Sequence, residues 1–169
     1  MKRILATTIA LLLTARAFAV TDTWDGGSTV GPSLNLDLNW LDDSAPVSDI
    51  VNTDLLFAGV VSLIPNVSVA FSTHSIGFTN TAGAFIIGGQ PLSIGMGGIT
   101  NSDTQTMTFN NLVNFGDVGR SDIDADNGGL VFNNTVTLPT GSLFVGGPVR
   151  RPSRTFPARA GSSRTARAR

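Results

Sequence analysis

A chain of 169 residues with a formal net charge of −1 is long enough for one domain and too short for two of ordinary size. It has no cysteine, no glutamate and one histidine, which removes disulfides, thiol nucleophiles and cysteine-held metals and leaves acid–base catalysis little to work with. Its 12 acidic side chains are all Asp, and with abundant Gly, Asn, Ser and Thr they favour turns over helices.

Lys2 and Arg3 precede an apolar run from Ile4 to Leu13, and Ala17-Phe18-Ala19 has the small-residue spacing of a cleavage signal. Residues 1–19 are therefore expected to be an export signal, with Ala17 and Ala19 as the recognised positions. The run is shorter than the ~20 residues that a membrane-spanning helix needs. The mature chain is expected to be secreted or held at a bacterial cell surface, without spanning the membrane.

From Leu34 onward the chain consists of short apolar runs with period-two alternation, each bounded by Gly, Asn, Asp or Pro. They begin with Leu34, Leu36 and Leu38, then Leu55 and Phe57, Val67, Val69 and Phe71, and Ile76 and Phe78. Phe85 and Ile87, Leu92 and Ile94, and Met107 and Phe109 follow. Leu130 and Phe132, Val136 and Leu138, and Leu143 and Val145 complete the series. No amphipathic helix interrupts them, so the class is all-β: a sandwich, a barrel or a solenoid.

Internal repetition separates these. Ile76-Gly77-Phe78-Thr79-Asn80, Met107-Thr108-Phe109-Asn110-Asn111 and Leu130-Val131-Phe132-Asn133-Asn134 share one pattern, with the phenylalanines 31 and 23 residues apart. Gly83 to Gly89 and Gly141 to Gly147 form a second echo, each a glycine-bounded strand. Repeats of that size predict a short right-handed parallel β-helix, a β-solenoid over residues 20–149, with Gly88-Gly89 and Gly97-Gly98 at corners that need positive φ. Aligned Asn and Phe are expected to form ladders down the stack. The alternative is a β-sandwich, which predicts no repeated motif.

Several amino-terminal motifs add a resemblance. Thr23-Trp24-Asp25-Gly26-Gly27, then Asn39-Trp40, Ala45-Pro46, Asp49 and Asp54-Leu55-Leu56-Phe57 are similar to the opening of autotransporter-associated β-strand repeat proteins. The resemblance covers about Thr21 to Gly147. It implies a secreted, passenger-type β-helix with a structural or adhesive role. Members of that group are usually much longer, so the resemblance also implies a truncated fragment.

Candidate chemistry is sparse. Asp122-Ile123-Asp124-Ala125-Asp126-Asn127-Gly128 resembles an acidic calcium loop in which Asp122, Asp124 and Asp126 offer oxygen ligands. Its glycine falls one place late, and Asn133 stands where a bidentate Glu is needed, so a solvated acidic corner accounts for it better. Asp42 and Asp43 with Asp49 are a weaker instance. His74 lies between Ser72 and Ser75, but strand neighbours point to opposite faces, so adjacency makes no triad. Trp24 and Trp40 suit the covering of an open solenoid end more than the stacking of sugars.

Charge is segregated along the chain. Between Val20 and Val149 the 12 Asp face a single Arg120, whereas residues 150–169 carry seven Arg and no acid. The latter segment has a composition that cannot offset its ordering entropy and reads as a disordered, out-of-frame or truncated ending. No cofactor is expected beyond a weak Ca²⁺ site. Cell-surface glycans, or self-association through an open solenoid edge, are the expected partners, and nucleic acid is not. The expected function is a non-enzymatic structural or adhesive β-helix. The alternative is a polysaccharide-active, lyase-like β-helix using the acidic cluster and Arg120.

Overall fold

The computed structural model describes residues 19–116, 120–138 and 142–147. Residues 1–18 of the expected export signal, Ala17 among them, and the segment 150–169 lie outside the described residues. Within them every pairing between strands is parallel, and the strands stack into a β-solenoid of about four turns. Parallel pairing throughout excludes the sandwich, whose hairpin and Greek-key links make antiparallel neighbours.

The larger sheet starts with β1 (Val20–Trp24), β2 (Asp49–Phe57), β4 (Phe71–Phe78) and β6 (Leu92–Asn101). After β6 each rung splits in two. β6 pairs with both β8 (Val113–Phe115) and β9 (Arg120–Asp124), which carry β11 (Val136–Thr137) and β12 (Ser142–Gly146) respectively. The smaller sheet stacks β3 (Asn66–Val67), β5 (Ile86–Gly89), β7 (Met107–Phe109) and β10 (Leu130–Phe132). Phe71, Leu92, Val113 and Val136 occupy one column, 21, 21 and 23 residues apart, which sets the length of a coil.

Alternation places one residue in two inside, and the inside is aromatic from the first coil to the last sheet pairing. Phe57 stacks on Phe78 with centroids 5.3 Å apart, and Phe109 stacks on Phe132 at 5.1 Å. Phe85 bridges the two sheets, 5.2 Å from Phe57. The fully buried rings, Phe57, Phe78, Phe85 and Phe109, each contribute about 1.5–3 kcal/mol from area alone. The Asn ladder forms on the outside, where Asn133 Nδ2 donates to Asn110 Oδ1 at 2.9 Å. Gly89, at the end of β5, and Gly98 have the expected positive φ, 103° and 67°, but Gly98 lies within β6 at a register slip and not at a corner between strands.

Three expectations are corrected. Only two of the three Phe-Asn segments share a column: β7 and β10 stack in register, whereas Ile76 to Phe78 belongs to β4 in the other sheet. The 31-residue separation therefore links one sheet to the other, and the 23-residue one is the true coil. Both sheets need an inward Phe, so one short motif serves two different positions. The glycine-bounded echo fails likewise, because β5 lies in the smaller sheet and β12 in the larger.

Leu34 to Leu38 is not a strand. Leu34 is buried, but Asp37–Asn39 forms a 3-10 turn and Leu38 is exposed. Polar side chains win here over the alternating pattern. Asn39 Nδ2 donates to Gly31 O and Ser33 O, and Asp37 Oδ1 accepts from the Ala45 N–H.

Candidate functional site

Ionisable side chains gather where the larger sheet bends. Between Thr73 and Ser75 the register slips, so that His74 alone faces Ile50 to Thr53 on one neighbour and Gly95 to Gly97 on the other. The slip interrupts alternation. Thr73 and Ile76 are buried, while His74 and Ser75 are both half-buried. The expectation that His74 and Ser75 take opposite faces is thus overturned by a β-bulge.

Both side chains reach one carboxylate on the previous coil. His74 Nδ1 lies 2.8 Å from Asp54 Oδ1, and Ser75 Oγ donates to the same oxygen. Beneath them Thr73 Oγ1 donates to Thr53 O at 2.7 Å. A serine relay requires the hydroxyl on the imidazole nitrogen opposite the carboxylate. Here Ser75 bonds the carboxylate itself, so the trio acts as a staple between coils. The next coil crosses closely above: a Cβ on Gly97 would sit 2.6 Å from the Ser75 Cβ and 2.9 Å from His74 Cε1.

Asp122 and Asp124 flank buried Ile123 and therefore share the outer face of β9. They line a shallow cleft of about 170 Å³ with Phe144, Val145 and Gly146. Asp126 is exposed in the bend that follows, outside that cleft. Among the described residues no group of three or more His, Cys, Asp or Glu is disposed to hold a metal ion. Asn133, at the position of the missing Glu, instead serves the Asn ladder.

The weaker acidic group is partly assembled. Asp42 and Asp49 line a cleft of about 310 Å³ at the amino-terminal end, joined there by Asp22 rather than Asp43. Burial, then the neighbouring Asp42 charge, hold the Asp22 carboxyl above the usual carboxylate range. Asp49 is shifted the opposite way, because the Asn52 side chain and the Val51 N–H donate to its charged form. The composition of the segment signals acidity there, but no local pattern joins Asp22 to residues 20 or more positions later.

Trp24 and Trp40 are fully buried and meet edge to face at 5.4 Å, 5.9 and 6.3 Å from Phe57. They close the first coil and offer no exposed face to a sugar. Trp40 Nε1 donates to Leu34 O at 2.8 Å, and Leu41 N–H donates to Thr23 O at 2.9 Å, laying the segment after Asn39 across β1. Sequence reasoning missed Asn101. This buried side chain takes the column place of Phe57 and Phe78, and its Nδ2 donates to Gln105 O and Gly129 O. No helix among the described residues is long and apolar enough to cross a membrane. No family model, no curated protein and no solved structure matches the chain.

Proposed function

We propose that the chain is an exported, non-enzymatic β-helix of autotransporter-passenger type, structural or adhesive, that works through its outer surface. One observation carries this reading. Most inward positions from Trp24 to Phe132 belong to an aromatic and aliphatic spine, and the one carboxylate that meets both a hydroxyl and the imidazole, Asp54, bonds Ser75 and His74 as a staple rather than as a relay. A rigid rod with a polar, Asp-rich exterior suits multivalent weak attachment to cell-surface glycans. The test is retention of the purified full chain on neutral polysaccharide films and amino-coated glass, read by a quartz microbalance. Saturable retention without release of sugar is expected, and absence of retention on every film would refute the adhesive role.

A second reading, a calcium-assisted polysaccharide lyase, draws on Asp122 and Asp124 sharing an outer cleft on the same strand as Arg120. Titration calorimetry of Ca²⁺ into the full chain and an Asp124→Asn variant tests it. Saturable binding lost in the variant, with Ca²⁺-dependent release of unsaturated products from pectate, would replace the first reading with this one.

A further inference from the structure

Residues 125–129 link β9 to β10 and lie on residues 102–106, which link β6 to β7 one coil earlier. Side chains and backbone tie the two corners together. Asn101 Nδ2 donates to Gly129 O at 3.0 Å, the Met107 N–H donates to the same oxygen at 2.9 Å, and Asn127 Nδ2 donates to Ser102 O at 3.2 Å. Gly128 is wedged against the corner below, where an added Cβ would collide with Gln105 O and Asp103 O. Packing therefore requires Gly at this position, and it stands directly after an exposed Asn in a bend.

We propose that Asn127 is a self-modifying position, at which the Gly128 backbone nitrogen closes on the Asn127 side-chain amide and converts it to isoaspartate and aspartate. In the first step the Gly128 nitrogen bonds to Asn127 Cγ, the Cγ–Nδ2 bond breaks, and the nitrogen's proton leaves with Nδ2 as ammonia. Water then opens the cyclic imide at either carbonyl, giving an aspartyl residue by one route and an isoaspartyl link through Cγ by the other. Nothing beyond water is consumed. The corner favours the step in two ways. Among the described residues the Gly128 N–H donates to no group, so no hydrogen bond has to break before it attacks. The Asn127 side chain is exposed and is held by a bond at the long end of the usual range. Every other Asn of the chain precedes a residue whose side chain crowds the attacking nitrogen, as Gly does not. Asn101, which precedes Ser102, is fully buried and spends its amide on Gln105 O, Gly129 O and the Asp103 N–H. Either product cuts a tie between coils. It has no N–H to give Ser102 O, and it sets a negative charge beside that carbonyl and next to Asp126. The isoaspartyl form also lengthens the main chain by one carbon just where Gly128 is wedged. The change therefore loosens the coil from β10 onward and leaves the Trp24 and Trp40 end intact, because each coil rests on its neighbours alone.

The purified full chain is aged in mildly alkaline buffer made with heavy-oxygen water, then digested. Mass spectrometry with electron-transfer fragmentation locates the heavy oxygen and separates isoaspartate from aspartate. The expected result is label at residue 127 ahead of every other Asn, isoaspartate as the larger product, and ammonia released in equal amount. The folded chain should react within about tenfold of the same chain unfolded in urea, because the attack needs no opening of a coil. Asn127→Gln, which must close a larger and slower ring, should abolish the early label while keeping the circular dichroism. Hydrogen exchange of the aged chain should quicken in β10, β11 and β12, with tryptophan fluorescence unchanged. Label spread evenly over several Asn, or a folded rate more than about tenfold below the unfolded one, would overturn the proposed site. Label at residue 127 with unaltered exchange would overturn the loosening of the coil.

Discussion

Truncating Phe57 to Ala should open the sealed end of the rod without dissolving the rest. Phe57 is fully buried and touches four rings, Trp24, Trp40, Phe78 and Phe85, at 5.9, 6.3, 5.3 and 5.2 Å. Deleting a Phe side chain from a close-packed core costs about 3–5 kcal/mol. With a urea slope of roughly 2 kcal/mol/M, that lowers the midpoint by about 1.5–2.5 M. In a quasi-one-dimensional stack the loss falls mainly on the coils that flank the cavity. The chain has two Trp and no Tyr, so its intrinsic fluorescence reports the sealed end alone, whereas far-ultraviolet circular dichroism reports every coil. Urea titration of the Phe57→Ala chain by both probes should show fluorescence lost first. Exposed Val60→Ala serves as the control. Coincident transitions displaced by less than about 1 kcal/mol would refute the picture of an aromatic lid over a stacked core.

Gly98→Ala should destabilise strongly, because φ is 67° and the added Cβ would lie within 2 Å of the Asp122 carbonyl oxygen. Gly59→Ala, with φ of 70° and open space around it, should cost only the backbone term of roughly 1–2 kcal/mol; thermal melts compare the two. Folding favours the protonated form of Asp22, whose pKa is raised. The charged group therefore costs stability at neutral pH, and that cost vanishes as pH falls through the folded pKa. Asp22→Asn should accordingly raise the melting temperature at pH 7 and lose its advantage in acid. Asp49, lowered, contributes stability above its unfolded pKa and loses it as pH falls through the folded value, so Asp49→Asn should lower the melting temperature at pH 7 and cease to do so in acid. A double-mutant cycle of Asp54→Ala and His74→Ala should give a coupling of about 0.2–1 kcal/mol, since both groups are partly solvated. A larger value would mark the staple as more than a surface ion pair.

Much of the architecture is written locally. Period-two runs bounded by Gly, Asn and Asp announce short strands, and the inward members Phe57, Phe78, Phe85, Ile87, Leu92, Ile94, Met107 and Phe109 are buried as alternation requires. Gly89 and Gly98 do take positive φ, the second inside β6, and Trp24 and Trp40 close an end. These features depend on neighbours within a few residues, or on the general need of a first coil for a cover. The outward placing of Asp122 and Asp124 follows from the same alternation around Ile123.

What the tertiary structure decided is register. A short apolar-x-Phe motif fits the inner face of either sheet, so only stacking could assign Phe78 to one and Phe109 with Phe132 to the other. Only the slip between β2, β4 and β6 could bring His74 and Ser75 onto Asp54, 20 and 21 residues away, against the alternation of a regular strand. The cleft that joins Asp22 to Asp42 and Asp49, and the bareness of Val145 in a column of buried isoleucines, likewise exist only between coils. The physical reason is common to all of these. Periodicity specifies which face a residue takes, whereas its partner is chosen by parallel pairing across a whole coil, where small differences in corner length reset the alignment.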